Sequence, residues 1–127
     1  GSTFGGNPLA MRSANAVLEL LLEKDFLDNL RKMIVYFDKK MDQLIKNDMH
    51  VTPIIFSKKG SGMLRGFQLN ENITAGDFGN IAREKGLLLV GAAENTIRLL
   101  PPLNTSKEEV DNAFDILNDI VLELKKT

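Results

Sequence analysis

The sequence predicts an α+β domain: a small, mostly antiparallel sheet with helices on one face, in the order ααββαββα. Three observations lead there. Apolar residues recur at spacings of three and four in two stretches near the start of the chain and one at its end. Between them, short apolar and β-branched runs come in two pairs, each bounded by Gly or Pro. The 127 residues, 43% hydrophobic and 26% charged, suit one domain (1–127) with one core.

The first helix begins at Asn7-Pro8, because an Asn side chain can accept from orphan backbone N–H groups and Pro suits the first helical turn. Leu9, Ala10, Ala14, Val17, Leu18, Leu21 and Leu22 place a stripe along one side through about Lys24, and that side is expected to face a core. From Asp25 the period restarts with Phe26, Leu30, Ile34, Phe37, Met41, Leu44 and Ile45, leaving Asp28, Arg31, Lys32, Asp38, Lys39 and Lys40 on the wet face. Met33, Met41 and Met49 follow the same spacing as filler. His50 and Pro53 mark the exit, and Val51 to Ser57 has the composition of a strand.

Lys58-Lys59-Gly60-Ser61-Gly62 reads as a turn, followed by a strand from Met63 to Leu69. Thr74 and Asp77 form a capping pair for a short helix with Phe78, Ile81 and Ala82 on its apolar side, ended by Gly86. Strands at Leu87–Val90 and Thr96–Leu100 flank residues 91–95, and Pro101-Pro102 forbids continuation of the second. Thr105 to Glu108 matches a capping box, and Val110, Ala113, Phe114, Leu117, Ile120, Val121 and Leu124 line the last helix.

Composition excludes several functions. Sixteen Lys plus Arg against 17 Asp plus Glu leave a net charge of -1, so no global field favours nucleic acid or anionic lipid as a partner. With no cysteine there are no disulfides, thiolate nucleophiles or thiolate metal sites, which fits a reducing cytoplasm. No apolar run approaches the roughly 20 residues that span a bilayer, and the opening GSTFGGNPLA lacks the pattern of a signal peptide. His50, the lone histidine, has no second His or Cys for a metal site. The lysines of KKGSG precede its glycines, the reverse of a phosphate-binding P-loop.

Two features could carry chemistry. Arg98 stands in the apolar run Ile97-Arg98-Leu99-Leu100, where a guanidinium needs either water at a sheet edge or an anionic partner. The Gly/Ser turn before the first helix offers hydroxyl and backbone donors, with Gly5 and Gly6 allowing close approach; read bare, it is a turn.

Three stretches together, GSTFGGNPLA (1–10), KKGSGMLRGFQL (58–69) and GLLLVGAAENTIRLLPPLNTSKEEVD (86–111), resemble the class III pyridoxal-phosphate-dependent aminotransferases, most nearly the acetylornithine aminotransferases. Ornithine and 4-aminobutyrate aminotransferases share the general pattern. The resemblance covers nearly the whole chain and implies the C-terminal small domain of such an enzyme, with residues 1–24 the interface motif and connecting helix from a large domain. It implies that Ser2 and Thr3 reach the pyridoxal phosphate of the neighbouring subunit in a homodimer. It further implies that Arg98 holds the substrate's α-carboxylate. In the family the cofactor-bearing lysine, the acid facing the pyridine nitrogen and an arginine for the distal carboxylate lie upstream of GSTFGGNP, and no lysine here has a matching context. The expectation is therefore a domain without a catalytic residue of its own, binding no cofactor stably alone, from an enzyme that moves an amino group from N-acetylornithine, or a similar ω-amine donor, to 2-oxoglutarate in arginine biosynthesis. A non-enzymatic interaction module that keeps the fold, or a segment of a longer active chain, remain open alternatives.

Overall fold

The computed structural model describes residues 1–49 and 52–126, so the expectations for His50 and Val51 lie outside the described residues. In chain order the elements are α1 (Pro8–Leu21), α2 (Phe26–Asp48), β1 (Ile55–Ser61), β2 (Leu64–Leu69), α3 (Ala75–Glu84), β3 (Val90–Ala92), β4 (Thr96–Leu99) and α4 (Lys107–Leu124). The order is the one read from the sequence. The chain divides into two compact units, Gly1–Lys32 and Met33–Thr127.

In the first unit Asn7 caps α1, its side-chain oxygen accepting from Leu9 N at 3.0 Å and Ala10 N at 3.2 Å, with Pro8 in the first turn. The helix closes at Leu22, and Asp25 sits in the left-handed region at φ 70° before α2 begins. The expected core beneath α1 is absent: none of its residues is buried, and Leu9 and Leu22 are 77% and 80% exposed. A helix of this length gains little from backbone propensity alone, and its stripe is an exposed apolar surface.

The second unit is built on a four-stranded, wholly antiparallel sheet in the order β1-β2-β4-β3. Strand β1 runs four residues further than the sequence suggested. Lys58 to Ser61 are strand, and the hairpin turns at Gly62-Met63 with Ser61 opposite Leu64. Gly60 makes this possible: its φ is +88°, and a Cβ there would lie 2.2 Å from Leu64 O. The Arg65 guanidinium clasps the turn, donating to Gly60 O and Gly62 O, each at 2.9 Å.

Strand β3 also starts later than Leu87. The Leu87 N–H goes to Ala82 O at 2.8 Å and closes the end of α3, so pairing begins only at Val90 opposite Arg98. Glu94 and Asn95 turn the chain in the left-handed region at φ 56° and 48°. The Asn95 amide then donates to Asn70 O and Ile73 O and accepts from Ala75 N, tying this turn to the start of α3.

The core lies on one face of the sheet. Phe67, Leu69, Ile97 and Leu99 meet Phe37, Met41 and Leu44 of α2, Phe78 and Ala82 of α3, and Phe114, Leu117 and Ile120 of α4. The Phe37 and Phe114 rings meet edge to face at 5.4 Å and 77°. The capping box of α4 is Ser106 with Glu109, one residue beyond the expected Thr105 and Glu108. Both pairs fit the pattern, and the observed one leaves Thr105 to donate its hydroxyl to Glu109 at 3.2 Å. At the far end Asp48, fully buried, accepts the Ile55 N–H at 2.6 Å and pairs with Lys125 Nζ at 2.6 Å, fastening α4 to the end of α2. Among the described residues no helix is long and apolar enough to cross a membrane.

Candidate functional site

Arg98 lies in β4 between Ile97 and Leu99, both buried in the core, so strand alternation sends it to the opposite, open face. Register fixes its neighbours there. Val90 of β3 stands opposite on one side, Gly66 of β2 on the other, and Lys59 of β1 lies beyond Gly66. The row across this face is therefore an apolar side chain, a guanidinium, a buried glycine and an ammonium.

Arg98 is exposed and has no ion-pair or hydrogen-bond partner among the described residues. The other arginines are engaged: Arg65 with Asp38 at 2.9 Å, Arg31 with Asp28 at 2.6 Å, Arg83 with Asn80 at 2.9 Å, and Arg12, loosely, with Glu19 at 4.0 Å. Lys59 is paired with Glu94, whose carboxyl it holds below the usual carboxylate range. Lys58, on the other face, sits between Asp42 at 2.6 Å and Asp38 at 3.1 Å; the Asp42 hydrogen bond first, and Asp38 with it, raise its pKa. Both lysines of KKGSG are thus committed to carboxylates. A free guanidinium presents a planar fork of donors that matches a carboxylate.

Where Leu100 and Pro101 leave the strand, an apolar groove of about 290 Å³ opens among Leu88, Leu89, Leu99, Leu100, Pro101 and Val110. Leu88 and Leu100 are 81% and 65% exposed.

Ser2 and Thr3 belong to the first unit and Arg98 to the second. Ser2 Oγ accepts from Phe4 N at 3.2 Å and Ser2 O accepts from Gly5 N at 3.3 Å, forming an exposed turn with Gly6 at φ +78°. Accepting that bond leaves the Ser2 hydroxyl proton available, and the Thr3 hydroxyl has no partner among the described residues. Asn7 already occupies the first N–H groups of α1, so an anion here would be held by the turn and its hydroxyls rather than by the helix end. That donor set fits a phosphate. Among the described residues no three His, Cys, Asp or Glu side chains gather as they would for a metal.

Arg98, Ser2 and Thr3 were visible as candidates in the sequence; Gly66, Lys59 and Glu94 were not. Their part depends on strand register, which one sequence does not show, and the sequence alone places Lys59 in a turn.

Residues 1–121 match the class III aminotransferase family. The chain is 40% identical over 114 residues to acetylornithine aminotransferase 2 of Caulobacter vibrioides, covering 90% of this chain and 27% of that protein. It is 38% identical over 121 residues to the acetylornithine aminotransferase of Lactococcus lactis, covering 95% and 31%. It superposes on the crystal structure of acetylornithine aminotransferase from Elizabethkingia anophelis with a TM-score of 0.82 and 31% identity, over 97% of this chain and 32% of that one. Fold and these matches agree: the chain belongs to the class III aminotransferases. It spans about 30% of the length of the relatives it matches.

Proposed function

We propose that this chain is the C-terminal small domain of a cytoplasmic, homodimeric, pyridoxal-phosphate-dependent aminotransferase that takes the amino group of N-acetylornithine to 2-oxoglutarate in arginine biosynthesis. The observation that carries the reading is Arg98. It is an arginine in mid-sheet with no protein partner among the described residues, within the stretch 1–121 that matches the family, on the sheet face that the core leaves open.

In this reading the Arg98 fork holds the α-carboxylate of the amino or oxo acid and so fixes how the reacting carbon is presented. Such positioning lowers the entropic part of the barrier. The hydroxyls of Ser2 and Thr3 donate to the cofactor phosphate of the neighbouring subunit, making the turn before α1 an anchor rather than a reacting group. When bound, pyridoxal phosphate supplies the electron sink for the transfer. The reacting amine belongs to the large domain, and the uncovered stripe of α1 and the apolar groove beside Leu100 are surfaces that this domain or the second subunit covers.

The test is kinetic, on the intact polypeptide that carries this chain. Arg98→Met should lower kcat/KM for 2-oxoglutarate by roughly 10- to 150-fold, the equivalent of a charged hydrogen-bonded contact of about 1.5–3 kcal/mol. An unchanged kcat/KM would remove Arg98 from the site.

A further inference from the structure

An exposed guanidinium attracts any carboxylate within reach, and the second unit has few on the side of the sheet where Arg98 stands. Its acidic side chains belong to α2, α3 and α4, which cover the core face, except for two. Glu71 follows β2, and Glu94 lies in the turn that leads into β4. Glu94 comes four residues before Arg98, so no more than about 13–14 Å of extended chain separates them. The left-handed conformation of Glu94 and Asn95 shortens that interval. A carboxylate that met the guanidinium here would take the fork of donors that a substrate carboxylate needs.

Glu94 is turned elsewhere. Its carboxylate is held by Lys59 Nζ, which reaches it from β1 across β2, and the hydrogen bond and charge of that ammonium keep the carboxyl below the usual carboxylate range. Register puts Lys59 on the same face as Arg98, two strands away, about 9.6 Å at the usual strand spacing. The two side chains of the pair are 39% and 71% exposed, and so open an ion pair adds little to stability. What the pair does change is the charge around Arg98: it cancels a negative charge that would otherwise oppose an incoming anion.

We propose that Lys59 is a positioning residue of the Arg98 site: by holding Glu94 it keeps the acid of the β3–β4 turn off the guanidinium and leaves the fork to the carboxylate of a 2-oxo acid. The proposal rests on the reading of Arg98 as a carboxylate holder and adds the pair that keeps Arg98 unengaged.

The test is steady-state kinetics on the intact polypeptide that carries this chain, with kcat and KM for 2-oxoglutarate measured separately. Lys59→Met releases Glu94 and leaves its charge uncancelled, so KM should rise roughly three- to tenfold with kcat within about twofold. Lys59→Arg keeps the pair and should hold both constants within about twofold. Adding Glu94→Gln to Lys59→Met removes the competing acid and should return KM to within about twofold of the unaltered enzyme, a rescue that lost packing could not give. Unchanged KM in Lys59→Met, or no recovery in the double variant, overturns the proposal and leaves Arg98 in place so long as Arg98→Met is impaired. Unchanged kinetics of Arg98→Met overturn the Arg98 reading and the proposal with it. Should Lys59→Met not fold, Glu94→Gln alone decides: KM should fall or stay within about twofold, and a larger rise overturns the proposal.

Discussion

Replacing Asp48 with Ala removes the one carboxylate that holds three elements together at the closed end of the sheet. Asp48 is 0% exposed; it accepts the Ile55 N–H at 2.6 Å as β1 begins and pairs with Lys125 Nζ at 2.6 Å just past α4. Two costs follow. The Ile55 N–H loses its acceptor, a loss of about 1–3 kcal/mol for a buried donor. The Lys125 ammonium loses its counter-ion, and breaking a buried pair from one side costs about 3–5 kcal/mol in all when the remaining charge is trapped.

Lys125 is not fully trapped. Its side chain is 18% exposed and still donates to Asp48 O at 3.1 Å, so the lower end applies, about 3 kcal/mol. Domains of this kind unfold with about 5–15 kcal/mol, so this is a large share. In urea, with a slope of about 1–3 kcal/mol per molar, the midpoint should fall by about 1–3 M without a change of slope. Asp48→Asn keeps an acceptor for Ile55 and should lose less. The pair Asp48→Ala with Lys125→Met should recover part of the loss, since no unpaired ammonium remains. A midpoint change worth less than about 1 kcal/mol for Asp48→Ala, or strict additivity in the double variant, would refute the reasoning.

Other outcomes follow from the same geometry. Phe114→Ala removes a side chain 4% exposed and in edge contact with Phe37, and should cost about 3–5 kcal/mol by urea unfolding. Ser106→Ala breaks the capping box of α4 and should cost about 1 kcal/mol in the same assay. The Tyr36 hydroxyl donates to Asp111, which raises the phenol to about 12 and, with Lys40, lowers the carboxyl. The carboxyl is depressed on folding, so its contribution is present above about pH 4 and fades as pH falls through the folded value. The phenol is raised, so its contribution is present below about pH 10 and fades as pH rises toward 12. Urea midpoints measured against pH should show both limbs, and Tyr36→Phe should flatten the alkaline one.

Helices were the legible part of this sequence. Periodicity and caps are local, so Asn7-Pro8, Thr74 with Asp77, and the stripe from Val110 to Leu124 could be read directly. Even there a tie between two S/T-x-x-E frames put the α4 cap one residue early, because only the folded chain chooses between Thr105 and Ser106. Strand limits were less legible. Gly60 looked like a turn glycine, but it is the one position where β1 can tolerate Leu64 O so close, and the Leu87 N–H was needed by α3 before it could join a sheet. The α1 stripe was read correctly as a pattern and wrongly as buried, since periodicity says that a face is apolar and not what covers it. At the site, Arg98 announced itself as a charge in an apolar run. The place of Gly66 opposite Arg98 and the pairing of Lys59 with Glu94 needed the register across three strands.

The central claim is that this chain supplies grips for a carboxylate and a phosphate while the amine that reacts belongs elsewhere in the enzyme. Its most direct test is to incubate the purified chain with pyridoxal phosphate, reduce with borohydride, and map the labelled lysines by mass spectrometry. Only scattered, substoichiometric labelling of surface lysines is expected; a single lysine labelled to one equivalent, with the matching change in the visible spectrum, would place the reacting amine in this chain.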